Sequence, residues 1–405
     1  MSWLNALILA VFIAGHCELL VTVVNRLHAL KLPGPLLKTV RHVHDLLMLA
    51  GPPLIVWFVG LSGPKVLLGG TWQELSPGWV IYLGLCAAGA IALAVTAGRY
   101  QSRSLPAALT SNHSELIDVA KRLGHRPLAP GPYQWLARLP GNELFHIEVS
   151  QKTLQLPRLP AEWDGLSILH LSDLHFIGTL DLPFFEEVAR LSADQNADLI
   201  AFTGDLLDNQ QLIEWLPATL GKLSAPLGCH FILGNHDWYL KPEPIRQSLV
   251  DLGWHDVAGK TRVLEHRGRP LAIGGSELPW MGRHPDFTTA PPDAFRLLLS
   301  HTPDNLPWAL RAGVDLMLSG HNHGGQVVLP LLGPVYSPSL YGCRYASGLF
   351  WQAPTLLHVS RGISGRHPFR WRCKPELTKL VLRPAAAVAA PTVAPSIFQR
   401  RSGVE

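Results

Sequence analysis

The run LSILHLSDLH, residues 166–175, decides the fold: an apolar stretch stops at Leu171 and gives way to Ser172, Asp173, Leu174 and His175. A short apolar run ended by small and polar residues reads as a buried strand whose carboxyl end opens into a loop. The pattern recurs along the chain. DLIAFT (198–203) leads into TGDLLD (203–208), and CHFIL (229–233) into GNHD (234–237). RLLLS (296–300) leads into SHTPD (300–304), and VDLMLS (314–319) into SGHNHGGQ (319–326). Loops at the carboxyl ends of strands in an α/β sheet converge on one crevice, so these segments are expected to meet. They carry Asp173, His175, Asp205, Asn235, His301, His321 and His323, a nitrogen and oxygen donor set without thiolate that suits borderline divalent metals. Helical patterns at LPFFEEVARLSAD, around Leu212 to Leu223, at PEPIRQSLVDLG and at NLPWALRAG lie between the motifs, as crossover connections require. Strand patterns continue at QVVLP, TLLHVS and LTKLVLR, which implies two packed sheets covered by helices.

In order, D-x-H, G-D, G-N-H-D, a lone His and G-H-x-H form the pattern of the calcineurin-like metallophosphoesterases, and the chain resembles that family over residues 145–383. It is most similar to the membrane-attached bacterial branch, whose last motif reads G-H-x-H-G-G-Q; Asn322 takes the non-ligand position where that branch usually has Thr. The resemblance implies a four-layer α/β/β/α sandwich. It implies two divalent metal ions, with Mn, Fe, Zn and Mg all admissible: Asp173, His175, Asp205 and His323 on one, and Asp205, Asn235, His301 and His321 on the other. Asp205 would bridge. Water would attack phosphorus, His236 would stabilise the developing charge and protonate the leaving oxygen, and Asp237 would hold the His236 ring. The activity implied is hydrolysis of a phosphate ester or pyrophosphate. Some relatives in this branch cleave the pyrophosphate of a UDP-diacylglucosamine lipid precursor, so a lipid-linked substrate falls within the expectation. The alternative is a membrane scaffold that keeps the fold and only binds a phosphorylated ligand. Loss of a ligand would mark such a scaffold, and the set here is complete.

Other polar residues near these motifs carry plainer expectations. Asp208 reads as a helix cap or structural residue in preference to a carboxylate behind the ligands. His170 and His230 read as packed core histidines. Arg361 either contacts substrate phosphate or forms a surface ion pair.

The first hundred residues are of a different kind. Runs over 2–24, 44–61 and 78–98 are apolar and almost free of charge, with His16 and Glu18 the ionisable groups of the first. Roughly 20 apolar residues span a bilayer as a helix, so three transmembrane helices are expected, with Pro52 and Pro53 kinking the second. The first run has no basic start and no small-residue cleavage site, so it reads as an uncleaved span and not as a signal peptide. Arg26, Lys31, Lys38 and Arg41 fall between the first two runs, Lys65 between the next two, and Arg99 and Arg103 after the third. The positive-inside rule then places the first loop and the catalytic domain in the cytoplasm, making the chain an integral protein of the cytoplasmic membrane.

Residues 101–144 read as a connector: a short amphipathic helix at SNHSELIDVAKRLG capped by Ser111 or Asn112, then a stiff Pro and Gly-rich segment lying near the headgroups. The catalytic domain is expected over 145–383 and a disordered Ala, Pro and Val-rich tail over 384–405. The net charge of +4 and the lack of a basic block interleaved with aromatics give no nucleic-acid signal, so the expected partners are a phosphate-containing small molecule or lipid and the membrane itself. The 5 cysteines form no framework and suit a reducing compartment.

Overall fold

Three long helices come first in the computed structural model, which describes residues 3–385. They are α1 (Trp3–His28), α2 (Gly34–Ile55, prolonged by a π-helical segment, Val56–Ser62) and α3 (Pro77–Gln101), each long and apolar enough to cross a membrane. Pro52 and Pro53 lie inside α2 without ending it; the N–H donors they lack are followed by the π segment, where each bond reaches one residue further. α1 and α3 meet backbone to backbone. A Cβ on Gly15 would stand 1.7 Å from the Cys86 carbonyl oxygen, an approach that small residues permit. His16 is buried where the three helices converge: Nε2 donates to Leu47 O (3.1 Å), which leaves Nδ1 to accept from the Tyr82 hydroxyl (2.6 Å).

The strands follow in chain order as β1 (Leu109–Asp118), β2 (His146–Leu156), β3 (Ser167–Leu171), β4 (Leu199–Phe202) and β5 (Cys229–Phe231). Next come β6 (His255–Asp256), β7 (Thr261–His266), β8 (Arg269–Ser276), β9 (Phe295–Ser300) and β10 (Leu316–Ser319). The last are β11 (Val328–Leu329), β12 (Gly333–Pro334), β13 (Gly348–Gln352), β14 (Thr355–Val359) and β15 (Glu376–Pro384). Among them run the short helices α4 (Val119–Leu123), α5 (Gln134–Ala137), α6 (Leu182–Ala193), α7 (Asn235–Tyr239), α8 (Pro242–Asp251) and α9 (Leu306–Arg311).

One sheet has the order β1-β2-β15-β3-β4-β5-β6 and the other β13-β14-β10-β9-β8-β7. Alternation along each strand sorts its side chains into layers. Ile168, Leu199, Ala201, Leu297, Leu299, Leu316, Leu318 and Leu356 fill the space between the sheets. Their neighbours Leu169, Leu171, Ile200 and Phe202 pack on the other side against Phe184, Phe185 and Val188 of α6. On the outer face of the second sheet, Leu298, Met317 and Leu357 meet Leu306 and Ala309 of α9. The result is the α/β/β/α sandwich that the motifs implied.

The connector departs from expectation. Most of the segment read as an amphipathic helix is strand β1, paired antiparallel with β2 from Leu109 to Asp118. The edge of β2 satisfies its backbone donors and acceptors, and the helix proper is only α4, capped by Asp118 through Lys121 N (3.0 Å) and not by Ser111 or Asn112. The Pro and Gly-rich stretch packs on the two-sheet sandwich, where Ala129 N donates to Thr179 O (3.0 Å) and Thr179 Oγ1 to Pro132 O (2.5 Å). Between Gln210 and Lys222 the chain forms 3-10 turns in place of the expected helix. Beyond Ala385, the expected tail lies outside the described residues.

A buried polar chain links the sheets. Lys152 donates to Glu376 Oε1 (3.1 Å), Thr378 Oγ1 (3.1 Å) and Ser150 Oγ (2.7 Å), while Arg361 Nε donates to Glu376 Oε2 (2.6 Å). His358 Nε2 lies 3.4 Å from Glu376 Oε1, and its Nδ1 meets His170 Nδ1 at 2.8 Å. Breaking a buried ion pair leaves an uncompensated charge and costs about 3–5 kcal/mol. Glu376→Gln is therefore expected to lower the unfolding free energy of the full chain by about that much, read by tryptophan fluorescence in denaturant; an unchanged midpoint would show that the pair contributes nothing.

Candidate metal centre

Within each sheet the strands that precede the polar segments run parallel, β3 with β4 and β4 with β5, and β9 with β10, so their carboxyl ends share an edge. The chain turns sharply there. Asp173 (φ 56), His175 (φ 48), Asp205 (φ 58), His321 (φ 68) and His323 (φ 49) all hold left-handed backbone, which costs a non-glycine residue about 1 kcal/mol or more and persists only where the surroundings over-determine it. Close approach also fixes two glycines. A Cβ on Gly234 would stand 2.2 Å from Asp205 Oδ1, and one on Gly320 2.3 Å from Asp173 Oδ2.

The seven residues named as ligands come together. Asp173, His175, Asp205 and His323 form one group with ligand atoms within 4.8 Å of one another, and Asp205, His301 and His321 form another. Asn235 joins the second, its Oδ1 3.0 Å from His301 Nε2. Asp205 belongs to both: its Oδ2 lies 3.5 Å from His175 Nε2 and 3.3 Å from His301 Nε2. That oxygen is buried and has no hydrogen-bond donor among the described residues.

Three of the four candidate ligand rings are aimed by their outer nitrogen. His301 Nδ1 meets the Thr203 carbonyl (2.7 Å) and His323 Nδ1 the Ser364 carbonyl (3.1 Å), so Nε2 is left for the interior. Asp208 does this for His175 through Oδ2 (2.9 Å), and its other oxygen meets His236 Nδ1 at 2.5 Å. The expected cap or purely structural role of Asp208 is thus corrected: a carboxylate three residues past the candidate ligand Asp205 orients two imidazoles. Asp237, named as the holder of His236, does not touch that ring. Its carboxylate accepts from the backbone amides of Leu206 (3.0 Å), Leu207 (3.0 Å) and Gly234 (2.9 Å). Its bond from the Gly234 amide caps the start of α7, and those from Leu206 and Leu207 clamp the β4 and β5 loops together.

Charge follows these contacts. Burial alone would press His236 and His301 toward the neutral form, but Asp208 and Asp205 hold His236 at about 9, and Asp205 holds His301 at about 9. Burial disfavours ionised Asp205 as well, yet His301 and His236 keep it well below the ordinary carboxylate range. His321 and His323 are driven well below the ordinary imidazole value by burial, then by His301 and by His175 with Arg370 respectively. An ionised Asp205 with an orphaned oxygen, beside the neutral rings of His321 and His323, is a donor set that fits divalent metal ions.

The remaining residues sort out simply. His170 is buried as expected but hydrogen-bonded, with Nε2 2.9 Å from Thr203 Oγ1. His230 is buried, its Nε2 3.0 Å from Leu227 O, and burial pushes it down to about 4. Arg361 forms ion pairs, the second of its two expected roles, with Glu376 and with Glu148 (3.2 Å), and is half-buried. Two contributors have no motif of their own. Trp280 lays its buried ring 4.9 Å from His321 and 5.6 Å from His301, and the buried Arg370 donates to the carbonyls of His323 (3.0 Å) and Ser364.

The calcineurin-like phosphoesterase family profile matches residues 166–325. An uncharacterized metallophosphoesterase of Bacillus subtilis, YkuE, is 32% identical over 247 residues, which is 58% of this chain and 86% of that protein. The phosphodiesterase YaeI of Escherichia coli is 29% identical over 220 residues, 53% of this chain and 81% of that one. The UDP-2,3-diacylglucosamine pyrophosphatase LpxG of Chlamydia muridarum is 26% identical over 290 residues, 57% of this chain and 88% of that one.

The two-ring role of Asp208 is open to direct measurement. In the metal-free full-length protein the His236 imidazole is expected to titrate at about 9 by NMR, and Asp208→Asn, which removes the carboxylate that favours the charged ring, is expected to bring it down toward 6.5. A titration that does not move would mean that Asp208 does not hold that proton.

Proposed function

The chain belongs to the calcineurin-like metallophosphoesterases and is a hydrolase of phosphoester bonds; from that premise we propose a membrane-tethered enzyme that uses two divalent ions to cleave a phosphate ester or pyrophosphate in a lipid-linked substrate of the UDP-diacylglucosamine type. One observation carries the two-ion reading: the donorless buried Oδ2 of Asp205, shared by both ligand groups. In this reading Asp173, His175, Asp205 and His323 hold one ion, and Asp205, Asn235, His301 and His321 the other. Bound there, the pair neutralises phosphoryl charge and lowers the pKa of an attacking water. His236 stays protonated through Asp208 and donates to the leaving oxygen, while its side chain remains 20% exposed and so within reach of substrate. Asp208 orients that ring, and Asp237 positions Asp205 by fixing the amides beside it.

Support for an amphiphilic substrate comes from where the site sits. α7, which carries Asn235 and His236, packs against the connector between α1 and α2: Tyr239 Oη donates to Leu32 O (3.4 Å), and Lys31 Nζ lies 5.4 Å from the Trp238 ring centroid. The metal ligands therefore stand beside the ends of the membrane helices. The relative LpxG, by its name, acts on a diacylated nucleotide sugar. The excess of Lys and Arg in the α1–α2 connector favours a cytoplasmic catalytic domain in the cytoplasmic membrane.

Purified full-length protein loaded with Mn²⁺ is expected to hydrolyse bis(p-nitrophenyl) phosphate or a lipid-linked pyrophosphate. His236→Ala should slow turnover by about 10²–10⁴-fold with metal content unchanged, and Asp205→Asn should lose both activity and bound metal by elemental analysis. Full activity in Asp205→Asn would sink the two-metal reading. For orientation, a reporter fused after Arg383 should register the cytoplasm, and a signal from the opposite face would reverse the topology.

A further inference from the structure

A cavity of about 800 Å³ lies between the C-terminal halves of α1 and α3 and the loops of the second sheet. It opens one turn past the point where the helices touch at Gly15 and Gly89. Glu18 and Val21 of α1 and Leu93 of α3 line it nearest that contact, and Arg26, Arg99 and Arg103 line it where the apolar runs end. Leu93 and Arg99 are separated by about 9 Å of helix rise, so the arginines gather at one end, while the other carries Val21, Leu93 and the single carboxylate of Glu18, which accepts from Thr22 Oγ1 (3.2 Å).

The lining charges do not balance. Arg26, Arg99, Arg103, Arg344 and Arg372 line the cavity, and Glu18 is the one acidic side chain of the lining among the described residues. Arg361 also reaches the wall, but Glu148 and Glu376 already pair with it. Among the described residues no carboxylate stands at ion-pair distance from Arg99, Arg103, Arg344 or Arg372. Two of them have carbonyl or ring partners: Arg103 donates to Ser347 O (2.8 Å) and Leu349 O (3.1 Å) over the Phe350 ring, and Arg344 lies 5.2 Å from the Tyr345 centroid. Carbonyls orient guanidinium groups without neutralising them. Such a cluster at the end of paired membrane helices matches the planar, fork-shaped recognition of phosphate, and basic pockets between membrane helices take anionic headgroups.

We propose that this cavity binds the phosphate head of an anionic membrane lipid, whose acyl chains leave past Val21 and Leu93 into the bilayer. The proposal rests on the reading of α1 and α3 as membrane spans and is independent of which ester the metal centre cleaves. The wall is shared with the site: Gly324 lines the cavity next to the ligand His323, and Cys373 Sγ, also in the lining, lies 3.3 Å from His323 O. A bound headgroup thus sits behind the loop that presents one metal ligand.

The test uses the full-length protein in detergent, with dioleoyl phosphatidylglycerol, dioleoyl phosphatidylcholine and inorganic phosphate as separate probes, read by native mass spectrometry and by Tm. Phosphatidylglycerol is expected to stay bound and to raise Tm, with phosphatidylcholine at least about tenfold weaker and inorganic phosphate without effect. The double variant Arg99→Gln with Arg344→Gln is expected to weaken phosphatidylglycerol binding by about tenfold or more, and Arg99→Lys with Arg344→Lys to restore most of it. Equal binding of the two lipids, or binding unchanged in the Gln variant, overturns the proposal. A Tm rise from inorganic phosphate equal to that from the lipid assigns the cavity to a soluble anion and overturns it too. Should the Gln variant fail to fold, the comparison of the three probes on the unaltered protein decides alone. Turnover is not the readout, so failure of the hydrolase reading leaves the result intact, and resistance to carbonate extraction checks the spans separately.

Discussion

The centre of the molecule is arranged around one buried carboxylate that is kept ionised with an oxygen left over. Burying an unpaired carboxylate oxygen is costly unless a cation answers it, and Asp205 Oδ2 lies 3.5 Å from His175 Nε2 and 3.3 Å from His301 Nε2 without a hydrogen bond among the described residues. Holding it there demands a left-handed backbone at Asp205, a neighbour without a side chain at Gly234, and a second carboxylate, Asp237, spent on three backbone amides. Each concession is local. Together they make the β4 and β5 loops a single rigid piece.

The two sheets are locked to each other at the same place. Asp173, from the first sheet, accepts from His321 N of the second (3.1 Å), and His301 of the second reaches back to Thr203 O of the first (2.7 Å). Ser172, Thr203, His170 and His358 continue the line inward through hydrogen bonds, ending at the Glu376 ion pairs. The ligands from different loops therefore cannot drift independently, because each is tied through backbone or buried polar contacts to the opposite sheet.

The membrane helices are part of this frame. Asn25 of α1 donates to Val335 O and accepts from Ser337 N, Gln101 of α3 donates to Leu331 O, and the α1–α2 connector touches α7. Polar contacts at three helix ends fix the height of the catalytic domain relative to the apolar segments. The candidate metal centre is thereby held close to the ends of the three apolar helices.

The sequence by itself determined the two-sheet sandwich, the three apolar helices and the seven polar residues that the strand ends bring together, because strand ends, turn residues and long apolar runs are local patterns that survive without knowing the fold. What only the tertiary structure decided were the partners. Asp208 and Asp237 are both acidic residues three or fewer positions from a ligand, and spacing could not tell which one would face an imidazole and which the backbone amides. β1 carries a helix-compatible pattern, yet the open edge of β2 offered its backbone a full ladder and won. The cationic cavity needed arginines from positions 26, 99 and 344 to meet across helices and loops. Side-chain direction and edge pairing are set by contacts between segments distant in the chain, and no local pattern encodes them.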